Sequence, residues 1–136
     1  MKRYLTRKRI DQIAFKLLQK AGITGPPVDP RIIVNQLNIE LHEKDQLGDD
    51  LSGLLLKKPE KNIIYVNQAH SDNRKRFTIA HELGHYILGH EREGVFIDEN
   101  KELHFAFLRN GESSEGNKLQ EIQANAFAAG LLMPQS

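Results

Sequence analysis

At 136 residues the chain is long enough for one hydrophobic core and too short for two independent ones. Lys and Arg number 19 against 18 Asp and Glu, with 39% hydrophobic and 27% charged residues, an ordinary globular balance that singles out no class of partner. There is no cysteine, which excludes disulfides, a thiolate nucleophile and thiolate metal ligands, and no apolar run approaches the roughly 20 residues of a membrane span. A cytoplasmic protein without membrane contact is expected.

Positive charge is concentrated at Lys2, Arg3, Arg7, Lys8 and Arg9 and again at Arg74, Lys75 and Arg76. Both clusters read as solvated helix faces, with a docking surface for an acidic partner or nucleic acid as the alternative; for the protein as a whole direct nucleic-acid binding is not expected.

Ile10, Ile13, Ala14, Leu17 and Leu18 recur at helical spacing between Thr6 and Ala21, and Gly22 follows as a stop, which predicts an amphipathic first helix. Asp29 and Pro30, after a Pro-rich turn, suit the cap and first position of a short helix ending near Leu37. Alternation from Asn38 to Glu43, then β-rich runs at Leu51 to Lys57 and Asn62 to Asn67 around the turn Lys58-Pro59-Glu60-Lys61, predict a small, mostly antiparallel sheet. From Ser71 to Leu88 a second long helix carries Phe77, Ala80, Leu83, Gly84 and Ile87 on one broad face. Gly94 to Phe107 fits no single pattern, and Arg109 to Lys118 is polar and rich in Gly and Ser, predicting a mobile surface loop. An alanine-rich last helix, Leu119 to Leu132, must stop before Pro134. The expectation is a single α+β domain over 1–136, its short sheet packed on helices.

The second long helix contains His81-Glu82-Leu83-Gly84-His85, an HExxH pattern. Residues four apart on a helix stand one turn above each other, so both imidazoles reach one point. Glu82, about 100° round the helix from His81, is badly placed as a third ligand and well placed to touch a water there. Two histidines and one further ligand leave zinc an open position, where bound water has a pKa near 7; Glu82 is then the general base.

The third ligand must come from elsewhere: His90, Glu91, Glu93, Asp98, Glu102, His104, Glu112, Glu115 and Glu121 are candidates. The metzincin pattern HExxHxxGxxH fails, because Leu88 and Glu91 stand where Gly and His are required. Glu121 ranks first because packing can fix its direction on a helix. Asn125, one turn later, is a candidate acceptor for the outer N–H of a ligating histidine. Tyr65, Tyr86, His104 and Arg109 are open as donors to a developing oxyanion. Gly84 costs about 1 kcal/mol in a helix interior, which predicts close packing of another element against it.

The stretch Arg76-Phe77-Thr78-Ile79-Ala80-His81-Glu82-Leu83-Gly84-His85-Tyr86-Ile87-Leu88-Gly89-His90, with Glu121-Ile122-Gln123-Ala124-Asn125-Ala126-Phe127-Ala128-Ala129 and Leu131-Leu132-Met133-Pro134, resembles the ImmA/IrrE family of metallopeptidases. Ser52-Gly53-Leu54-Leu55 and Ile64-Tyr65-Val66-Asn67 extend the resemblance upstream. It implies a gluzincin-like zincin domain with His81, His85 and Glu121 on Zn2+ and Glu82 catalytic. It also implies a protein substrate, a helix-turn-helix repressor whose cleavage derepresses mobile-element or stress-response genes. The chain departs from the family at Gln123, where many members carry an acidic residue, and stops at Ser136, where members usually continue, so a shortened C-terminus is entertained.

Other readings remain beside it. A deformylase-like enzyme also uses an HExxH helix, but its third ligand is cysteine, which this chain lacks. A non-catalytic zinc-binding partner of a regulator, in a pair of the toxin–antitoxin kind, has no need of Glu82.

Overall fold

The computed structural model describes residues 5–45, 52–90 and 115–133. Along them run α1 (Arg7–Ala21), α2 (Pro30–Gln36), β1 (Glu40–Lys44), β2 (Gly53–Lys57), β3 (Asn62–Asn67), α3 (Asp72–Ile87) and α4 (Glu115–Leu132). Each of the first helices begins on a side-chain cap. Thr6 Oγ1 accepts from the Arg9 N–H at 3.1 Å, Asp29 Oδ1 from Arg31 at 3.1 Å, and Ser71 Oγ from Arg74 at 3.2 Å. Pro30 occupies the start of α2, where a missing N–H costs nothing. α1 ends at Gly22, whose φ of 77° lets the chain turn back on the last carbonyls.

The expected sheet is present and is mixed, in the order β1-β3-β2. The tight turn at 58–61 makes β2 and β3 an antiparallel hairpin, pairing Leu54 with Tyr65 and Leu56 with Ile63. β1 instead runs parallel to β3, Leu41 opposite Ile64, because the chain passes from β1 to the far edge of the sheet before returning through β3.

α4 begins at Glu115, four positions before the expected Leu119 and inside the stretch expected to be a loop. The rest of that stretch, 109–114, and the ambiguous Gly94 to Phe107 lie outside the described residues.

One core joins all the layers: Ile10, Ala14 and Leu18 of α1, Ile33 and Val34 of α2, Leu55, Ile64 and Val66 of the sheet, Ile79, Ala80 and Leu83 of α3, and Phe127, Ala128 and Leu131 of α4. Every residue from Thr78 to His85 is buried, so the C-terminal half of α3 is enclosed by the other elements. Any polar chemistry it carries is therefore held inside the protein.

Arg31 of α2 donates to Glu43 of β1 at 3.0 Å and Lys75 of α3 to the other oxygen of Glu43 at 3.2 Å, lacing the three elements together. The Arg31 hydrogen bond above all, opposed in part by burial, holds the Glu43 carboxyl below its ordinary range. The second basic cluster is engaged within the protein: Arg74 with Ser52, Lys75 with Glu43 and Arg76 with Asp72. Among the described residues no helix is long and apolar enough to cross a membrane.

Candidate metal centre

His81 and His85 present their Nε2 atoms to each other at 3.2 Å, the outcome of four-residue spacing on α3. Glu121 of α4 meets them from the facing helix, with Oε1 2.8 Å from His81 Nε2 and Oε2 3.2 Å from His85 Nε2. The expected ligand set is thus brought together, and these three residues can hold a metal ion. The histidines are 6% and 1% exposed, while the Glu121 side chain keeps 28% exposure, so the site opens on the α4 side.

The donors suit zinc in kind and spacing. Tetrahedral bonds of about 2.0–2.1 Å separate neighbouring donors by about 3.3 Å, so these atoms need to spread by at most about half an ångström. Glu82 is fully buried beside the pair on the same helix.

What brings α4 close enough is Gly84. A Cβ there would stand 3.0 Å from Phe127 Cδ2 and 3.3 Å from Ala124 Cα, so the two helices approach to a distance that a larger residue would crowd. The packing partner expected for Gly84 is the last helix.

The outer nitrogens follow a path the sequence did not reveal. Asn125 is exposed, and His85 Nδ1 lies instead 2.9 Å from His90 Nδ1, while His90 Nε2 lies 2.7 Å from Gln123 Oε1. On α4 the buried residues Ala124, Phe127, Ala128 and Leu131 form a stripe flanked by Glu121 on one side and Gln123 on the other, and Asn125 lies about 40° beyond Glu121 toward solvent. His90 reaches this position because Gly89, with a φ of 70°, reverses the chain after α3. The His90 N–H then donates to the His85 carbonyl at 3.0 Å and the Gly89 N–H to that of Tyr86 at 3.2 Å. Gly89-His90 directly after a helical pattern is the signal that could have located it.

Of the other candidate ligands, His90 is near the donors but serves as neighbour to His85, and Glu115 opens α4. Glu91, Glu93, Asp98, Glu102, His104 and Glu112 lie outside the described residues, as does Arg109. Of the candidate oxyanion donors, Tyr65 sits on the sheet face opposite Ile64 and Val66, its ring stacked on His42 at 5.4 Å, and Tyr86 packs against the core.

Comparison with known proteins bears on the family and the fold. The chain is 36% identical over 80 residues to the radiation response metalloprotease IrrE of Deinococcus radiodurans, covering 57% of this chain and 21% of that protein. A solved Mycobacterium tuberculosis transcriptional regulator shares the fold at a TM-score of 0.57 and 17% identity, over 92% of this chain and 36% of that one. The chain therefore spans about a fifth of the curated relative and about a third of the solved chain. The family profile matches residues 34–136, which include both helices of the metal centre, and the chain belongs to the metallopeptidase family Peptidase_M78, the IrrE N-terminal-like domain.

Proposed function

We propose that this chain is a zinc-dependent endopeptidase with His81, His85 and Glu121 as metal ligands and Glu82 as general base. The observation that carries the reading is the convergence of three donor atoms from two helices beside a buried glutamate one position along from the first ligand. Zinc on such a set supplies Lewis acidity, polarising the scissile carbonyl and lowering the pKa of water to about 7. Glu82 accepts the proton of the attacking water on its carboxylate and delivers it to the leaving amine nitrogen. The burial of Glu82 limits access of bulk water to its carboxylate.

A cytoplasmic helix-turn-helix repressor is the proposed substrate, an inference supported by the resemblance to the ImmA/IrrE family. The test compares metal-loaded wild type with Glu82→Gln on such a regulator. Cleavage by the wild type and its loss in the variant, with zinc content unchanged, is the expected result; equal cleavage by both sinks the mechanism.

A further inference from the structure

Behind the three donors, His85, His90 and Gln123 form a continuous chain of polar contacts across α3 and α4, and they are 1%, 9% and 5% exposed. We propose that His90 and Gln123 are a positioning pair that holds the His85 proton on Nδ1 and so keeps Nε2 free as a metal donor. The inference rests on the metal-site reading given above.

The polarity of the chain follows from elementary tautomer chemistry. His85 Nε2 faces Glu121 and His81, and a ligating nitrogen must carry a lone pair, so neutral His85 bears its proton on Nδ1. That N–H points at His90 Nδ1, 2.9 Å away, which must then accept. His90 in turn bears its proton on Nε2 and donates it to the Gln123 carbonyl oxygen at 2.7 Å. Every contact then has one donor and one acceptor, and no charge is buried.

The reversed chain is incompatible with a metal. If His90 Nδ1 carried the proton, His85 Nδ1 would accept and its own proton would move to Nε2, between the ligand atoms. Gln123 favours the first, because its oxygen, placed toward His90 Nε2, accepts a proton there. His90 is itself held at both ends: its N–H is bound in the reversal after α3, and its carbonyl accepts from Lys57 Nζ at 2.8 Å. The ring is therefore placed before any ion arrives, and outer partners of this kind alter metal affinity by about 10- to 100-fold.

Two measurements test the pair. In zinc-loaded wild-type protein labelled with 15N-histidine, long-range 1H–15N correlations are expected to show His90 protonated at Nε2; a proton at Nδ1 overturns the proposal. Zinc dissociation constants by chelator competition, with Co2+ absorption spectra, are then compared across variants. His90→Phe is expected to weaken binding about 10- to 100-fold. Gln123→Leu, which keeps volume and removes the acceptor, is expected to weaken it several-fold, to give a mixture of His90 tautomers and to alter the Co2+ bands. Gln123→Glu, which restores an acceptor, is expected to return both towards wild type. Affinities within twofold of wild type in His90→Phe and Gln123→Leu, or a Glu variant no better than the Leu variant, refute the pair. If His90→Phe does not fold, the wild-type tautomer and the Gln123 variants decide. Wild-type protein that binds no zinc refutes the metal-site reading itself, whereas zinc binding indifferent to these variants refutes only this inference.

Discussion

A methyl group added at Gly84 sets two effects against each other, and the packing of α3 on α4 decides between them. In an open helix, Gly→Ala gains about 1 kcal/mol of helix propensity. Here the new carbon would stand 3.0 Å from Phe127 Cδ2, 3.2 Å from Phe127 Cβ and 3.3 Å from Ala124 Cα. The last two positions move only with the α4 backbone, so rotation of a side chain does not relieve them. Overpacking of that kind costs about 1–3 kcal/mol, which leaves a net loss of about 0–2 kcal/mol. Relief requires α4 to back away by a few tenths of an ångström, and Glu121 travels with it. Zinc affinity is expected to fall about tenfold, equivalent to about 1.4 kcal/mol. Urea unfolding of the metal-free protein measures the first effect and chelator competition the second. Gly130→Ala is the control: its Cβ would meet Asp11 Oδ1 at 2.7 Å, the end of a half-exposed side chain that can swing away. That variant should gain up to about 1 kcal/mol with unchanged zinc affinity. If Gly84→Ala is more stable than wild type and binds zinc equally well, the close approach of the two helices does not set the site.

Removing a ligand should uncouple metal from stability: zinc at a hundredfold excess over its dissociation constant is expected to add about 2.7 kcal/mol to the wild type and nothing comparable to Glu121→Ala, as read by urea unfolding with and without metal. Phe127→Ala, which empties the fully buried contact between α3 and α4, should cost about 3–5 kcal/mol; a loss below about 1 kcal/mol would contradict its place in the core. Glu43 has a folded-state pKa below its unfolded one, so its contribution is present above the ordinary carboxylate range and is lost as pH falls through the depressed value. Glu43→Gln is therefore expected to be destabilised at neutral pH and to converge with wild type in acid; a constant difference across that range argues against the Arg31 and Lys75 contacts.

The residues that were legible in the sequence are those whose geometry is local. Four-residue spacing alone determines that His81 and His85 converge, and the caps at Thr6, Asp29 and Ser71 act within three residues of themselves. Glu121 was reachable because a helix restricts where its carboxylate can point. The partner of His85 was not, for two reasons. Asn125 shares a helix face with Glu121, but Glu121 is at the margin of the buried stripe, so one further step round α4 leads to solvent. Gln123 is on the opposite margin, and which margin meets His90 behind His85 depends on how α3 and α4 cross, which no local pattern encodes. The parallel pairing of β1 was hidden for the same reason, since β1 and β3 are neighbours in space with β2 between them in sequence.

Glu121, the proposed third ligand, stands forty positions after His81, on a different helix. An ion shared between them acts as a reversible clasp closing a long loop, and the entropic cost of that closure rises only logarithmically, by about 0.6 kcal/mol for each doubling of length. The number of residues between His90 and α4 can therefore change at little expense to such a clasp. Its geometry depends instead on Gly84, Ala124 and Phe127, where the two helices meet.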